Sequence, residues 1–182
     1  MKVLLTAVNA KYIHSNLAVY DLRAYAEAYG TGGAQVEIGE YTINHTIDYI
    51  LEGIYKAKPD VLCFSCYIWN LDYVEQLMDE YHKICPEVPI WVGGPEVSYE
   101  TEAFLKEHPQ VTGVMVGEGE ETFLELCESY AKAGIGEMAE KMNLSGIKGI
   151  MYRAGESLVK TGAREPLDLN RIPFCYGGVE DF

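Results

Sequence analysis

Basic residues are scarce in this sequence. Its 182 residues carry 14 Lys and Arg against 28 Asp and Glu, a formal net charge of −14. Nucleic acids and anionic membrane surfaces are gripped by clustered Lys and Arg, so neither is an expected partner. The acidity reads as a solvated surface. Long hydrophobic runs are missing as well. The opening Met1-Lys2-Val3-Leu4-Leu5-Thr6-Ala7-Val8 runs straight into Asn9 and Lys11, too short for a signal core or a membrane span. No later run reaches the ~18 apolar residues a spanning helix needs. Cysteine is limited to five scattered residues, an odd number without the dense spacing of a disulfide framework, which points to a reducing cytoplasm. Cys63 and Cys66 form one C-x-x-C, but no second pair completes a four-cysteine zinc site and Cys63 falls inside an apolar run. No C-x3-C-x2-C run offers an iron–sulfur cluster its ligands.

What is present is a core and a rhythm. Hydrophobic residues make up 48% of the chain. Five short apolar runs recur, at residues 3–8, 35–41, 60–65, 88–92 and 111–116, each followed by a helical pattern. The second alternates apolar and polar, as an edge strand with one wet face does; the others are continuous, as strands covered on both faces are. Ser15 or Asn16, Asn44 and Asn70 stand where helix caps belong. Ile47, Ile50, Leu51 and Ile54 share one helical face, as do Leu71, Val74, Leu77, Met78 and Tyr81. A shorter helix covers 97–106, and another begins near Gly119, where Glu120 and Glu121 favour the positive helix end. Strand and helix alternating five times predict an α/β, Rossmann-like (flavodoxin-like) domain. It is a five-stranded parallel sheet of order 2-1-3-4-5 with helices on both faces and a binding crevice at the switch point. Beyond about residue 134 the pattern changes. Residues 135–144 suit a short helix or loop, 147–160 a β-hairpin, and 164–176 an extended, proline-punctuated connector. The division is a domain over 1–134, then hairpin and linker over 135–182.

The sharpest local signals are two turns, Trp91-Val92-Gly93-Gly94-Pro95-Glu96 and Val116-Gly117-Glu118-Gly119-Glu120. Each follows an apolar run and enters a helix. Glycine there lets a ligand approach the backbone, and Pro95 fixes the exit. Tight turns that need only positive φ look the same in isolation. The loop after the first strand, Asn9-Ala10-Lys11-Tyr12-Ile13-His14-Ser15-Asn16, has no glycine-rich phosphate cradle and no Ser/Thr/Gly run of the flavodoxin kind. His14 suits a metal ligand or a loop histidine bonded to the backbone. The third strand ends in Ser65-Cys66-Tyr67-Ile68-Trp69-Asn70, without the aspartate of a response-regulator receiver. Tyr67 and Trp69 fit either a pocket for a large flat ligand or a cover over the core. Glu96, Glu118 and Glu120 suit complementing helix ends, or bonding a hydroxyl or amide of a ligand, rather than forming a catalytic pair, and no catalytic residue is assigned.

Strand-tip Ser65, Val92-Gly93-Gly94-Pro95-Glu96 and Val116-Gly117-Glu118-Gly119-Glu120 with Thr122, Phe123 and Leu126 carry a family likeness. The later Gly149-Ile150-Met151-Tyr152-Arg153 and Leu169-Asn170-Arg171-Ile172-Pro173-Phe174 fit it too. The chain resembles the N-terminal cobalamin-binding (vitamin B12) domain of cobalamin-binding radical S-adenosylmethionine (SAM) enzymes. The resemblance implies cobalamin held base-off, its nucleotide tail threaded between the loops after strands one, three, four and five. Ser65 would lie near the tail; Gly93, Gly94 and Gly117 would give it room. Tyr67, Ile68 and Trp69 would face the corrin, and Glu118 and Gly119 would line the tail's exit. Asn9, His14, Ser15, Pro95, Glu96 and Val116 complete the implied set.

In the related Asp-x-His-x-x-Gly motif a histidine ligates cobalt. Here Tyr12 and Leu17 stand in the Asp and Gly places, so the resemblance implies no histidine lower ligand, and no protein metal site is assigned. It further implies a cytoplasmic fragment whose radical SAM barrel, with its iron–sulfur (4Fe-4S) cluster and S-adenosylmethionine, lies beyond Phe182 in the same polypeptide. The domain alone would be inactive and the parent a methyltransferase or related radical enzyme. The alternatives are a degenerate Rossmann-like docking domain that binds no cofactor, and a small nucleotide- or flavin-binding domain.

Overall fold

The computed structural model describes residues 1–11, 15–133, 142 and 144–176. Strands β1 (Lys2–Asn9), β2 (Gln35–Thr42), β3 (Val61–Ser65), β4 (Ile90–Gly93) and β5 (Gly113–Met115) are parallel. Between and after them come helices α1 (Leu17–Tyr29), α2 (Ile47–Ala57), α3 (Leu71–Ile84), α4 (Pro95–Ser98), α5 (Thr101–Glu107) and α6 (Glu120–Ala133). Strands β6 (Ile150–Ala154) and β7 (Ser157–Lys160) form the expected hairpin. The hairpin continues the same sheet, because Met115 lies opposite Ile150 and Gly113 opposite Tyr152 in an antiparallel pair. The sheet order is β2-β1-β3-β4-β5-β6-β7, whose first five strands follow the expected 2-1-3-4-5.

Two-residue periodicity divides β1 between two cores. Leu4 and Val8 pack with Ile50, Ile54, Leu77 and Leu105 on one face. Val3, Leu5 and Ala7 pack with Val19, Phe123, Leu126 and Tyr130 on the other. Residues of β1 from Val3 to Val8 are all buried, which is why this strand reads as an unbroken apolar run. Trp91, fully buried, donates its indole N–H to the Tyr130 hydroxyl at 2.8 Å and so tethers β4 to α6.

Local chemistry differs from expectation in three places. The cap of α2 is Thr46, whose hydroxyl accepts from Tyr49 N–H; Asn44 lies before it. The helix expected over 97–106 is two, α4 and α5, meeting at Tyr99–Glu100. Asn70 occupies a cap position but makes no cap bond. The 134/135 division, and most of the stretch expected as a short helix or loop, lie outside the described residues.

The connector is a strap pinned by long-range bonds. Arg164 bonds Glu121, Glu125, the Thr122 hydroxyl and the Lys148 carbonyl. Leu167 N–H donates to Glu118 at 2.6 Å. Arg171 pairs with Glu121 at 2.7 Å and lies over the Tyr25 and Tyr29 rings. Tyr176 ends at the β1 loop, its hydroxyl 3.2 Å from that of Ser15. Among the described residues no helix is long and apolar enough to cross a membrane.

Candidate functional site

Parallel strands place all their C-terminal ends on one edge. Asn9, Ser65 and Gly93 end β1, β3 and β4, and Val116 follows β5. The chain leaves β1 for β2 on one side and returns to β3 on the other, so the loops after β1 and β3 diverge and open a crevice. Asn9, Ser15, Ser65, Gly93 and Val116 thus gather at that edge, with Tyr67, Ile68 and Trp69 in the loop after Ser65. His14 lies outside the described residues.

One carboxylate organises the β1 loop. Glu40, on β2, accepts from the Asn9 side chain at 2.9 Å, from Asn16 N–H at 3.0 Å and from the Tyr20 hydroxyl at 2.6 Å. It therefore holds the loop at both ends. Burial, and then the bond to Glu40, push the Tyr20 phenol up to about 12. Asn16 stands at the cap position of α1 but makes no cap bond; its amide nitrogen donates to the Ser65 hydroxyl at 2.6 Å.

The loop after β3 is built by Asn70, fully buried. Its amide donates to the carbonyls of Val8 and Ser65, each at 3.0 Å, and its oxygen accepts from Tyr67 N–H at 2.8 Å. Three bonds on one side chain fix the bend that presents Tyr67 and Trp69. Their rings stack at 4.5 Å and 10°, and the Trp69 indole N–H donates to Val8 carbonyl at 3.3 Å. Ile68 between them is 79% exposed and Trp69 43% exposed, so the pair forms a rim rather than a core cover.

The two glycines at the β4 turn do different work. A Cβ on Gly93 would make ordinary contact with Met115 at 3.6 Å. Gly94, at φ +115°, packs against the backbone of Cys66, and a Cβ there would collide with the Cys66 carbonyl oxygen. The turn is further tied by Cys66 N–H donating to Gly93 carbonyl at 2.7 Å. Gly94 therefore serves the approach of two loops. Pro95 opens α4 and Glu96 sits exposed in its first turn.

At the β5 exit Gly117 has φ +84° and open space where a side chain would be. Val116, Gly117 and Glu118 border a cavity of about 380 Å³ shared with Gly149, Lys160 and Arg164. Glu118 is engaged with the strap, and Gly119 rests against Leu22 of α1. Burial raises the Glu120 pKa, with Asp21 and Glu118 adding to it.

A wider concavity of about 1190 Å³ opens at the opposite, N-terminal edge, among Tyr55, Tyr81, Cys85 and Arg153. Two of its charged groups, Arg153 and Asp60, are engaged in the fold. Arg153 donates to the carbonyls of Leu105, His108 and Val111, and Asp60 accepts from Lys2 N–H. Size alone does not make it the site.

Sequence reasoning missed Glu40, Asn16 and Tyr20. Of the two glutamates on β2, Glu37 and Glu40, Glu40 lies nearer the strand's C-terminal end, and that position was the available signal. Asn16 and Asn70 were visible only as caps.

The B12 binding domain family model matches residues 3–127. The cobalamin-dependent radical SAM methyltransferase TokK of Streptomyces tokunonensis is 28% identical over 139 residues, 76% of this chain and 19% of its own length. The 2-(S-pantetheinyl)-carbapenam-3-carboxylate methyltransferase of Streptantibioticus cattleyicolor is 30% identical over 119 residues, 61% of this chain and 16% of that protein. The chain thus spans under a fifth of either relative. The solved cobalamin-dependent S-adenosylmethionine radical enzyme OxsB, with aqua-cobalamin and S-adenosylmethionine bound, shares the fold at a TM-score of 0.70 and 21% identity. That match covers 91% of this chain and 22% of OxsB.

Proposed function

Because this chain belongs to the B12-binding domain family, we propose that its crevice holds cobalamin base-off as the cofactor-bearing part of a radical SAM methyltransferase. The observation that carries this reading is the convergence of Asn9, Ser65, Gly93 and Val116 at the switch-point edge, beside an exposed aromatic rim. The residues present fit the group. Gly117 leaves open space at the β5 exit. Ser65 offers a hydroxyl whose hydrogen has no acceptor among the described residues. Stacked Tyr67 and Trp69 suit the flat face of a macrocycle.

Asn9, Ser65, Gly93 and Gly117 would admit the nucleotide tail, and Tyr67, Ile68 and Trp69 would lie toward the corrin. Ser15, Pro95, Glu96, Val116, Glu118 and Gly119 would border these two regions, and cobalt would have no histidine lower ligand, His14 included. Bound cobalamin supplies a cobalt centre able to carry a methyl group. The chain's own residues bind the tail, orient the corrin and exclude water. Residues 1–134 would do this work, and 135–182 would lead toward a radical SAM barrel of the same cytoplasmic polypeptide, where the iron–sulfur cluster and S-adenosylmethionine belong.

The test is retention of hydroxocobalamin after removal of free cofactor, read from the visible spectrum. Near-stoichiometric corrin absorbance at micromolar cofactor, with a base-off band shape that His14→Ala leaves unchanged, is expected. A colourless protein overturns the reading.

A further inference from the structure

The direction of one hydrogen bond suggests how the crevice selects its ligand. Asn16 sits at the head of α1, where an asparagine ordinarily accepts a helix N–H. It makes no such bond. Its backbone N–H is held by Glu40 at 3.0 Å, and its side-chain amide donates to Ser65 at 2.6 Å. Glu40 is itself fixed by Asn9 at 2.9 Å and Tyr20 at 2.6 Å, and Asn16 is only 8% exposed. The amide thus has little freedom to turn away. A serine hydroxyl has one hydrogen and two lone pairs. With Asn16 donating to one lone pair, the Ser65 hydrogen must point elsewhere, and no acceptor for it exists among the described residues.

We propose that Asn16, clamped by Glu40, is a positioning residue that fixes Ser65 as a hydrogen-bond donor into the crevice. This rests on the cobalamin reading and deepens it. The occupant beside Ser65 must present an acceptor, which the cobalamin tail has in its base nitrogen and phosphate oxygens. The selection is made through Ser65 by a residue that need not touch the ligand itself. Asn16→Asp keeps the shape but replaces the donor by a carboxylate that takes the Ser65 hydrogen for itself. Asn16→Ala removes the bond and leaves the hydroxyl free to turn.

The experiment uses the whole chain with two probes, hydroxocobalamin and cobinamide, a corrin without the nucleotide tail. Wild type should bind hydroxocobalamin more tightly than cobinamide. Asn16→Asp should lose about tenfold in hydroxocobalamin affinity, Asn16→Ala less, and neither should alter cobinamide affinity by more than about twofold. On a Ser65→Ala background Asn16→Asp should have no further effect, which separates reversal of the hydroxyl from simple repulsion of the tail phosphate. Equal weakening of both probes, a greater loss with alanine than with aspartate, or an undiminished effect on the Ser65→Ala background would overturn the proposal. Should Asn16→Asp not fold, Asn16→Ala carries the same comparison between probes. Wild type that binds neither probe removes the cobalamin reading itself; wild type that binds both equally removes only the role of the tail.

Discussion

Gly94 and Gly117 look alike in sequence, each closing a strand and opening a helix, yet they respond to different constraints. Gly94 has both a positive φ and a neighbouring backbone in the space a Cβ would fill. Gly94→Ala should lower stability by about 3 kcal/mol, measured as a fall in the urea midpoint. Gly117 has a positive φ and open space, so Gly117→Ala should cost only about 1 kcal/mol. Equal costs at the two sites would contradict this assignment. That each glycine marks a turn is legible in the residues. Which turn is packed against another loop is not, because Cys66 and Gly94 meet only once β3 and β4 are in register. Asn70 was legible as a helix start for the same local reason, while its bonds to Val8 and Ser65 carbonyls depend on the sheet.

Among the elements, the strap over residues 161–176 departs most from what the sequence suggested. Prolines and extended character mark it as a connector, but its fastenings come from distant parts of the chain. The Tyr29 hydroxyl donates to the Arg171 carbonyl across 142 positions, a pairing no local pattern encodes. Arg164 is its most enclosed charged fastening, with a side chain 12% exposed. Arg164→Ala should cost about 2 kcal/mol and speed amide exchange across 164–176 while β1 and β3 stay protected. Uniform exchange throughout the chain would refute a locally docked strap. Acid should act in the same place. Burial pushes the Glu121 carboxyl up, but Arg164 and Arg171 outweigh it and hold its pKa below the usual range. A carboxylate depressed in the folded state adds stability that is complete above its unfolded pKa and lost as pH falls through the folded one. Protection of the strap amides, taken relative to the intrinsic exchange rate at each pH, should therefore fall below about pH 4, before the sheet opens.

For the molecule as a whole, the alternation of runs and helices was enough to give the parallel order, because right-handed crossovers leave few other arrangements. The hairpin's attachment to β5 was not legible, since the same two strands satisfy each other's bonds whether they stand apart or continue the sheet. With one sheet between two cores, unfolding should be a single transition. Far-UV circular dichroism and the fluorescence of buried Trp91, isolated by Trp69→Phe, should coincide in urea; separated midpoints would show that the sheet comes apart in stages. The contact between Ser15 and Tyr176 carries an implication for how the protein comes into being. A ribosome delivers the β1 loop some 161 positions before its companion tyrosine. The Ser15 side of the crevice is consequently completed only after all seven strands have been made, and a nascent chain whose strands have already paired still has an unfinished doorway.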